Sequence, residues 1–322
     1  MPTTTVSAGT ASRDYSTISA ALTGEAANTD DVVIECYNDS AFDEFLDGLS
    51  STPASWTIKP ADGEGHDGTA GTGVRIVQSS SAGFHLCDST SPVVFDQIEM
   101  DHNGGIPPGG NNTTGTAAGN RVSRLIVHGA DGGAVSDPIA IRNWFSHARI
   151  FACIVYDTLG RATNWGAIQI DSTSGDIEVE GNTVSHSKLK SYRFGTLTGA
   201  FVVKNNVGFG ATTADFDGAG SATAATNASG DATAPGAGSI TSITAADEFA
   251  SVVGGSEDYH LVSDSQLIGA GTDLGTTPTG INVDIDGETR SSWDIGADEY
   301  SVGNGGGGLS LCKRRLVPVV SG

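Results

Sequence analysis

Gln97-Ile98-Glu99-Met100, Leu125-Ile126-Val127-His128, Cys153-Ile154-Val155-Tyr156, Asn182-Thr183-Val184-Ser185 and Asn205-Asn206-Val207-Gly208 share one form within the stretch from Pro92 to Gly210. Their first residues stand 28, 28, 29 and 23 positions apart. Each is a short β-branched or apolar run bounded by Gly, Asn, Asp or Ser, the pattern of a short strand followed by a turn. A recurrence at this period signals one supersecondary unit stacked many times. The units are too short, and too poor in helical spacing, for helix pairs. They predict a solenoid of parallel strands, one coil per repeat, with inward Val and Ile in a column and Asn stacked at the corners.

Composition agrees. The chain has 322 residues, 45 of them Gly, and 16 Lys and Arg against 38 Asp and Glu. This is a turn-rich, all-β composition. A solenoid of this length needs no second domain, because each coil contacts only its neighbours. The net charge of −22 argues against nucleic acid or an anionic membrane as the main partner. No apolar run reaches the length of a membrane span, so no membrane insertion is expected. Met1-Pro2-Thr3-Thr4-Thr5 carries no basic region and no apolar run follows, so export by the ordinary route is not expected. Cys36, Cys87, Cys153 and Cys312 lie far apart without metal spacing and read as small buried hydrophobes in a reducing compartment.

Outward from the repeats, Asp14 to Leu22 combines helix-starting residues with Ile18, Ala21 and Leu22 on one side. A short helix there would cover the open end of the first coil, where unpaired strand edges need a lid. Val32–Tyr37, Trp56–Pro60, Val74–Val77 and Phe84–Cys87 read as strands. Residues 211–245, rich in Ala, Thr, Gly and Ser, read as a loop insertion or irregular coil on the flank. Beyond the Gly-rich run 303–308, residues 309–320 form a basic, apolar segment in an acidic chain.

Asp14-Tyr15-Ser16-Thr17-Ile18 with Ala20-Ala21-Leu22 resembles the leading segment of right-handed parallel β-helix proteins, including pectin-acting enzymes. Trp56-Thr57-Ile58-Lys59-Pro60, Gly65-His66-Asp67-Gly68 and Gly73-Val74-Arg75-Ile76 resemble β-helix proteins of tailed phages. Asp284-Ile285-Asp286-Gly287 with Arg290, and Asp294-Ile295-Gly296-Ala297-Asp298-Glu299-Tyr300, resemble a closing segment common in β-helix surface proteins. The resemblance spans residues 12–300. It implies an all-β fold: one single-stranded right-handed parallel β-helix with a short N-terminal cap helix. The parts would be a cap and first strand (1–50), coils (51–245), a closing segment (246–300) and a Gly-rich linker with its tail (301–322). Fold motifs of this kind do not fix activity, since lyases, adhesins and virion proteins share them.

Three groups of residues carry candidate chemistry. Asp284, Asp286 and Asp294, among the acids of the closing segment, offer hard oxygen ligands around Gly turns and suit Ca²⁺; in the family such residues fix turns. The loop acids Asp62, Glu64 and Asp67 with His66 could hold an ion or a sugar, or be solvated. Trp144, Trp165 and Tyr192 are the candidate glycan-stacking residues; buried, they would only fill the coils. A lyase needs a base beside carboxylate-held metal. The coil cations Arg142, Arg149, Arg161, Lys188, Lys190, Arg193 and Lys204, with His147 and His186, fall in no such motif, and no catalytic residue is assigned. In the tail, Lys313, Arg314 and Arg315 suit carboxylate partners, and Leu316, Val317, Val319 and Val320 suit strand addition to an exposed edge, with Pro318 limiting the ladder.

The function expected is a non-enzymatic phage virion surface protein: a head decoration, fibre or spike module. Its partners would be other virion proteins, copies of itself (a homotrimer being one arrangement) and host glycans. The alternatives are a polysaccharide lyase or depolymerase tailspike, and a bacterial surface adhesin.

Overall fold

Short strands of this kind cannot bury a face alone; each needs the strand one coil later. The computed structural model describes residues 3–9, 13–44, 49, 51–77, 90–102, 111–113, 119–130, 140–143, 148–159, 165–171, 176–197 and 199–301. They form a parallel β-helix. Sheet I stacks Thr3–Ser7, Asp31–Tyr37, Ser55–Pro60, Val93–Asp96, Arg121–Ser123, Ala148–Phe151, Ile177–Glu180, Phe201–Lys204 and Thr223–Ala225. Sheet II stacks Phe42–Asp43, Arg75–Val77, Glu99–Asp101, Ile126–His128, Ile154–Val155, Thr183–Ser185, Val207–Phe209, Ala228–Ser229 and Ile240–Thr241. Sheet III stacks Asn111–Thr113, Ile141–Asn143, Gly166–Ile170, Lys190–Phe194 and Ala214–Asp217. Phe249–Ser251 and Asp258–Leu261 then form the one antiparallel strand pair among the described residues.

Side chains alternate across each strand, so one set of every sheet meets in the lumen. On sheet I the column is Ile34, Ile58, Phe95, Val122, Ile150, Val179 and Val203, paired rung to rung and all buried. On sheet II it is Ile76, Met100, Val127, Val155 and Val184, followed by Gly208. A Cβ at Gly208 would lie 3.2 Å from the Tyr192 ring, so the glycine makes room for that ring in the lumen. Sheet III contributes Ile141, Ile168, Tyr192 and Phe216, the last two stacked at 4.6 Å. Each buried Val or Ile contributes about 1.5–3 kcal/mol.

The turn from sheet I to sheet II takes two residues. The first is left-handed in six successive coils: Gln97, Arg124, Ala152, Gly181, Asn205 and Thr226, with φ from 50° to 62°. The second is fully buried: Ile98, Leu125, Cys153, Asn182, Asn206 and Asn227. The last three form the expected asparagine stack. Asn206 Oδ1 accepts from Asn182 N and Nδ2 (3.1 and 2.9 Å), and Asn227 Oδ1 accepts from Asn206 N and Nδ2 (3.0 and 3.1 Å). These bonds correct the repeat register. The quartets beginning at Gln97 and Asn205 start on the left-handed residue, whereas those at Leu125, Cys153 and Asn182 start one residue later. Polarity could not separate the two positions, because the corner accepts Gln, Arg, Ala, Gly, Asn and Thr alike.

Two further expectations change. The Ala- and Gly-rich residues 211–245 are no flank insertion: they continue all three sheets and the asparagine stack with small side chains. Ile126 and Ile154, read as lumen residues, face outward from sheet II. They are buried there beside Ile285 and Ile295, in a second apolar cluster beneath the closing segment. That segment runs back along the solenoid as a strap. Gly296 N donates to Asn205 O (2.8 Å), Ala297 N to Thr183 Oγ1 (3.0 Å), and Arg121 Nη1 to Thr279 O (2.6 Å).

The cap helix forms at Ile18–Gly24 with Ile18, Ala21 and Leu22 buried. Thr17 caps it, and Glu44 accepts from Ile18 N and Ser19 N, both at 2.8 Å, where a carboxylate suits the orphan amides. Cys36 and Cys153 are buried free thiols; Cys87 and Cys312 lie outside the described residues.

Candidate functional site

A cleft of about 400 Å³ opens where the loop after Lys59-Pro60 meets the strap. Asp62, His66 and Asp67 of the predicted loop group line it, together with Asp96, Arg124 and Asp286. Its charges are largely matched within the chain. Arg124 forms a two-pronged pair with Asp96, with Nε to Oδ1 at 3.0 Å. Asp67 accepts from Thr72 Oγ1 (2.7 Å) and so holds its own loop, and Glu64 accepts from Asn38 N (3.2 Å). His66 is buried, and Gly68 N donates to its Nδ1 (3.3 Å). Nε2 therefore carries the proton and donates to Arg124 O (2.8 Å). Burial lowers the His66 pKa against the pull of that bond, so a neutral ring with both nitrogens engaged sits in the wall.

The proposed cation ligands of the closing segment do not converge. Asp284 Oδ1 accepts from Asp286 N (3.1 Å) and Glu288 N (2.7 Å), closing the Asp-Ile-Asp-Gly turn. Asp294 accepts from Gly269 N and Tyr300 N, both at 2.6 Å. Asp298 accepts from Leu261 N (2.7 Å), and Glu299 from Ser291 N (2.8 Å) and Ser292 N (2.6 Å). Arg290 ties the turn together by donating to the carbonyls of Gly296 and Ala297 at 2.9 and 2.7 Å. Asp286 instead meets His260 Nε2 at 3.1 Å, while His260 Nδ1 bonds Asp258. Burial opposes a charge on His260, but those two carboxylates win and push its pKa up to about 11. His260, Asp286 and Asp298 lie close enough together for a metal site, and within the chain His260 pairs with the carboxylates of Asp258 and Asp286 as an ion-pair lock.

Of the aromatic candidates, Tyr192 is inside. It has no exposed surface, and its hydroxyl donates to Asn182 O (2.9 Å) and Val207 O (3.0 Å). It cannot stack on a sugar. The alternation Ser191, Tyr192, Arg193, Phe194 in a strand puts the two aromatic rings on one face and would have assigned Tyr192 to the lumen. Trp165 is half-buried on the outer side of sheet III, with Arg142 at 4.6 Å from its ring. Asp171 bridges Arg142 (2.6 Å) and Arg193 (2.9 Å), and Lys190 pairs with Asp217 (2.6 Å). Arg149 pairs with Glu178 (2.8 Å). Trp144, His147, Arg161 and the tail residues Lys313 to Val320 lie outside the described residues.

A second cleft, about 370 Å³, was not anticipated. It lies over sheet II and is lined by Thr69, Ala70, His128, Tyr156, Asp157, Gly255, Ser256 and Glu257. Its residues come from four distant segments, so no local motif marks it. His128 of its lining is held by the buried Glu99, which accepts from Gly71 N and meets His128 Nε2 at 2.9 Å.

No protein-family model matches the chain, and no curated protein matches it. Among the described residues no helix is long and apolar enough to cross a membrane.

Proposed function

We propose that this chain is a non-enzymatic surface component of a phage virion, a head decoration, fibre or spike module, anchored through its C-terminal tail to neighbouring virion proteins or to copies of itself. The observation that carries the reading is the pairing of the coil cations. Arg142, Arg149, Lys190 and Arg193 each meet a carboxylate from an adjoining coil or its flanking loop at 2.6–2.9 Å. A lyase base must be free to take a proton from its substrate. Here the cations brace the coils against one another, which suits a rigid spacer. The resemblance to tailed-phage proteins supplies the virion, and the basic, apolar tail supplies the anchor.

In a phage that carries this gene, deletion of residues 303–322 is expected to leave the melting temperature of the purified protein unchanged and to abolish its incorporation into particles. Incorporation of the truncated protein at wild-type level refutes the anchor. Release of unsaturated or reducing ends from host capsule polysaccharide, lost on changing Arg149 or Lys188, replaces the reading with the depolymerase one.

A further inference from the structure

Two buried side-chain polar atoms among the described residues have no hydrogen-bond partner, Arg121 Nε and Thr158 Oγ1. Arg121 is engaged in other ways: its Nη1 donates to Thr279 O (2.6 Å), and its guanidinium lies 5.7 Å from the centre of the Phe151 ring. Thr158 has no such compensation. The residue is 1 % exposed, and its carbonyl, not its hydroxyl, bonds the next coil, accepting from Lys188 N at 2.9 Å. A buried hydroxyl left unmatched destabilises a fold, and native proteins hold few of them. It is therefore a group to which a ligand oxygen brings what the described chain does not.

The surroundings of Thr158 decide which ligand. Thr158 pairs with Ser187 across adjoining coils, and both line a niche of about 10 Å³, the room of one water or one hydroxyl oxygen. Trp165, Lys188 and Lys190 also line it, and no Asp or Glu does. Lys190 is paired with Asp217 (2.6 Å), and the Ser187 hydroxyl lies 3.4 Å from that of Ser191. Lys188 is exposed and has no carboxylate partner among the described residues. In a chain with 38 Asp and Glu against 16 Lys and Arg, such an ammonium attracts an anion where the protein as a whole repels it. Trp165 lies under the Arg142 guanidinium at 4.6 Å, which holds the half-buried indole as a fixed wall.

We propose that this niche binds an acidic sugar, a uronate unit of a polysaccharide, with its carboxylate on Lys188, one hydroxyl at Thr158 and its apolar ring face toward Trp165. The three groups answer the three parts of such a ligand: an ammonium for the carboxylate, a hydroxyl for a hydroxyl, and an aromatic ring for the C–H face. An acidic side chain of a protein would use Lys188 and leave the other two idle. The neighbouring guanidiniums are already engaged, since Asp171 bridges Arg142 and Arg193 at 2.6 and 2.9 Å, so Lys188 sets the preference for charge. Thr158 and Ser187 are fixed by their pairing, so little of the site has to be ordered on binding. Only the source of the sugar, a host surface, rests on the surface-protein reading. Binding is scored on purified protein, so its failure leaves the tail anchor to the particle assay.

The test is fluorine NMR of the full-length protein carrying fluorotryptophan at its four tryptophans, with the Trp165 signal assigned through Trp165→Phe and titrated with glucuronic acid. Glucuronate should shift that signal with a dissociation constant of about 1 mM, the scale for a ligand of this size. Glucose, which lacks the carboxylate, should bind roughly tenfold more weakly. Lys188→Gln should weaken glucuronate roughly tenfold and bring it level with glucose. Thr158→Val should weaken both sugars several-fold. Without sugar it should melt no lower than wild type, because it removes a hydroxyl that has no partner. An unmoved Trp165 signal, an equal response to glucose and glucuronate, or unchanged affinity in Lys188→Gln overturns the site. A Thr158→Val protein that melts below wild type shows the hydroxyl to be satisfied within the fold and overturns it equally. A response to N-acetylglutamate as strong as that to glucuronate makes the partner an acidic protein and overturns the sugar.

Discussion

Substituting Asn206 by Ala tests the corner stack at its middle rung. The Asn206 side chain makes four buried hydrogen bonds: it accepts from Asn182 N and Nδ2 and donates to Val179 O (2.7 Å) and Asn227 Oδ1. Two partners survive its loss, since Asn182 Nδ2 still reaches Ile150 O (2.9 Å) and Asn227 Oδ1 still accepts from Asn206 N. The Asn182 amide does not, and the Val179 carbonyl keeps only its ladder bond to the next coil. One orphaned buried amide costs about 1–3 kcal/mol and the lost bond to the Val179 carbonyl about 0.5–1.5 more, so Asn206→Ala should lose about 1.5–4.5 kcal/mol. For a chain of this size that is a fall in melting temperature of about 2–7 °C. Asn206→Leu separates polarity from packing: it restores the volume but no bond, and should be no more stable than the Ala variant. The assay is thermal unfolding followed by circular dichroism. A melting point for Asn206→Ala within 2 °C of wild type, or full rescue by Leu, would refute the stack as a polar, satisfied network.

Two other predictions read the strap. Ile154→Asp buries an unpaired charge beneath Ile285 and Ile295; it should release the strap or unfold the protein, seen as a loss of well over 10 °C and as new protease sites between residues 249 and 300. The melting temperature should also fall from pH 6.5 to pH 9. Burial lifts the carboxyls of Glu180 and Asp284 to about 7, so their contribution is present at lower pH and is lost as pH rises through that value. His260, held by Asp258 and Asp286 at about 11, loses its contribution gradually between pH 6.5 and 11, in the same direction. The buried rings of His66 and His102 have lowered pKa values and are neutral across this window. A flat or rising profile, or one unchanged by His260→Gln, contradicts this.

The solenoid was legible because Val, Ile and Asn recur at the same corner and strand positions, and stacking alone dictates that. The phase of the repeat was less so. Left-handed corner residues are usually Gly or Asn, but Arg124, Ala152 and Thr226 take that role here because the next coil's hydrogen bonds impose it. Sheet III was missed as a sheet because its strands follow connections of varied length and its lumen residues include Tyr192 and Phe216, which read equally well as binding aromatics. The acids of the closing segment read as metal ligands or turn braces alike; only their backbone partners, up to 25 residues away for Asp294, decide. The cleft over sheet II was illegible in principle, since its lining comes from four segments far apart in the chain.

That return has a consequence for how the chain is made. A ribosome delivers the coils first, and each can add to the last as it emerges. Ile126, Ile154 and Val207 then stand bare on the outside of sheet II until the closing segment is synthesised. Its anchoring contacts reach back 158 residues to Arg121, 114 to Thr183 and 67 to Asn205. A product truncated before residue 295 would therefore fold its rod yet keep an apolar stripe exposed, a ready target for quality control or self-association. The last residues to be made thus act as a proof of completion, sealing only those molecules whose earlier coils have stacked in register.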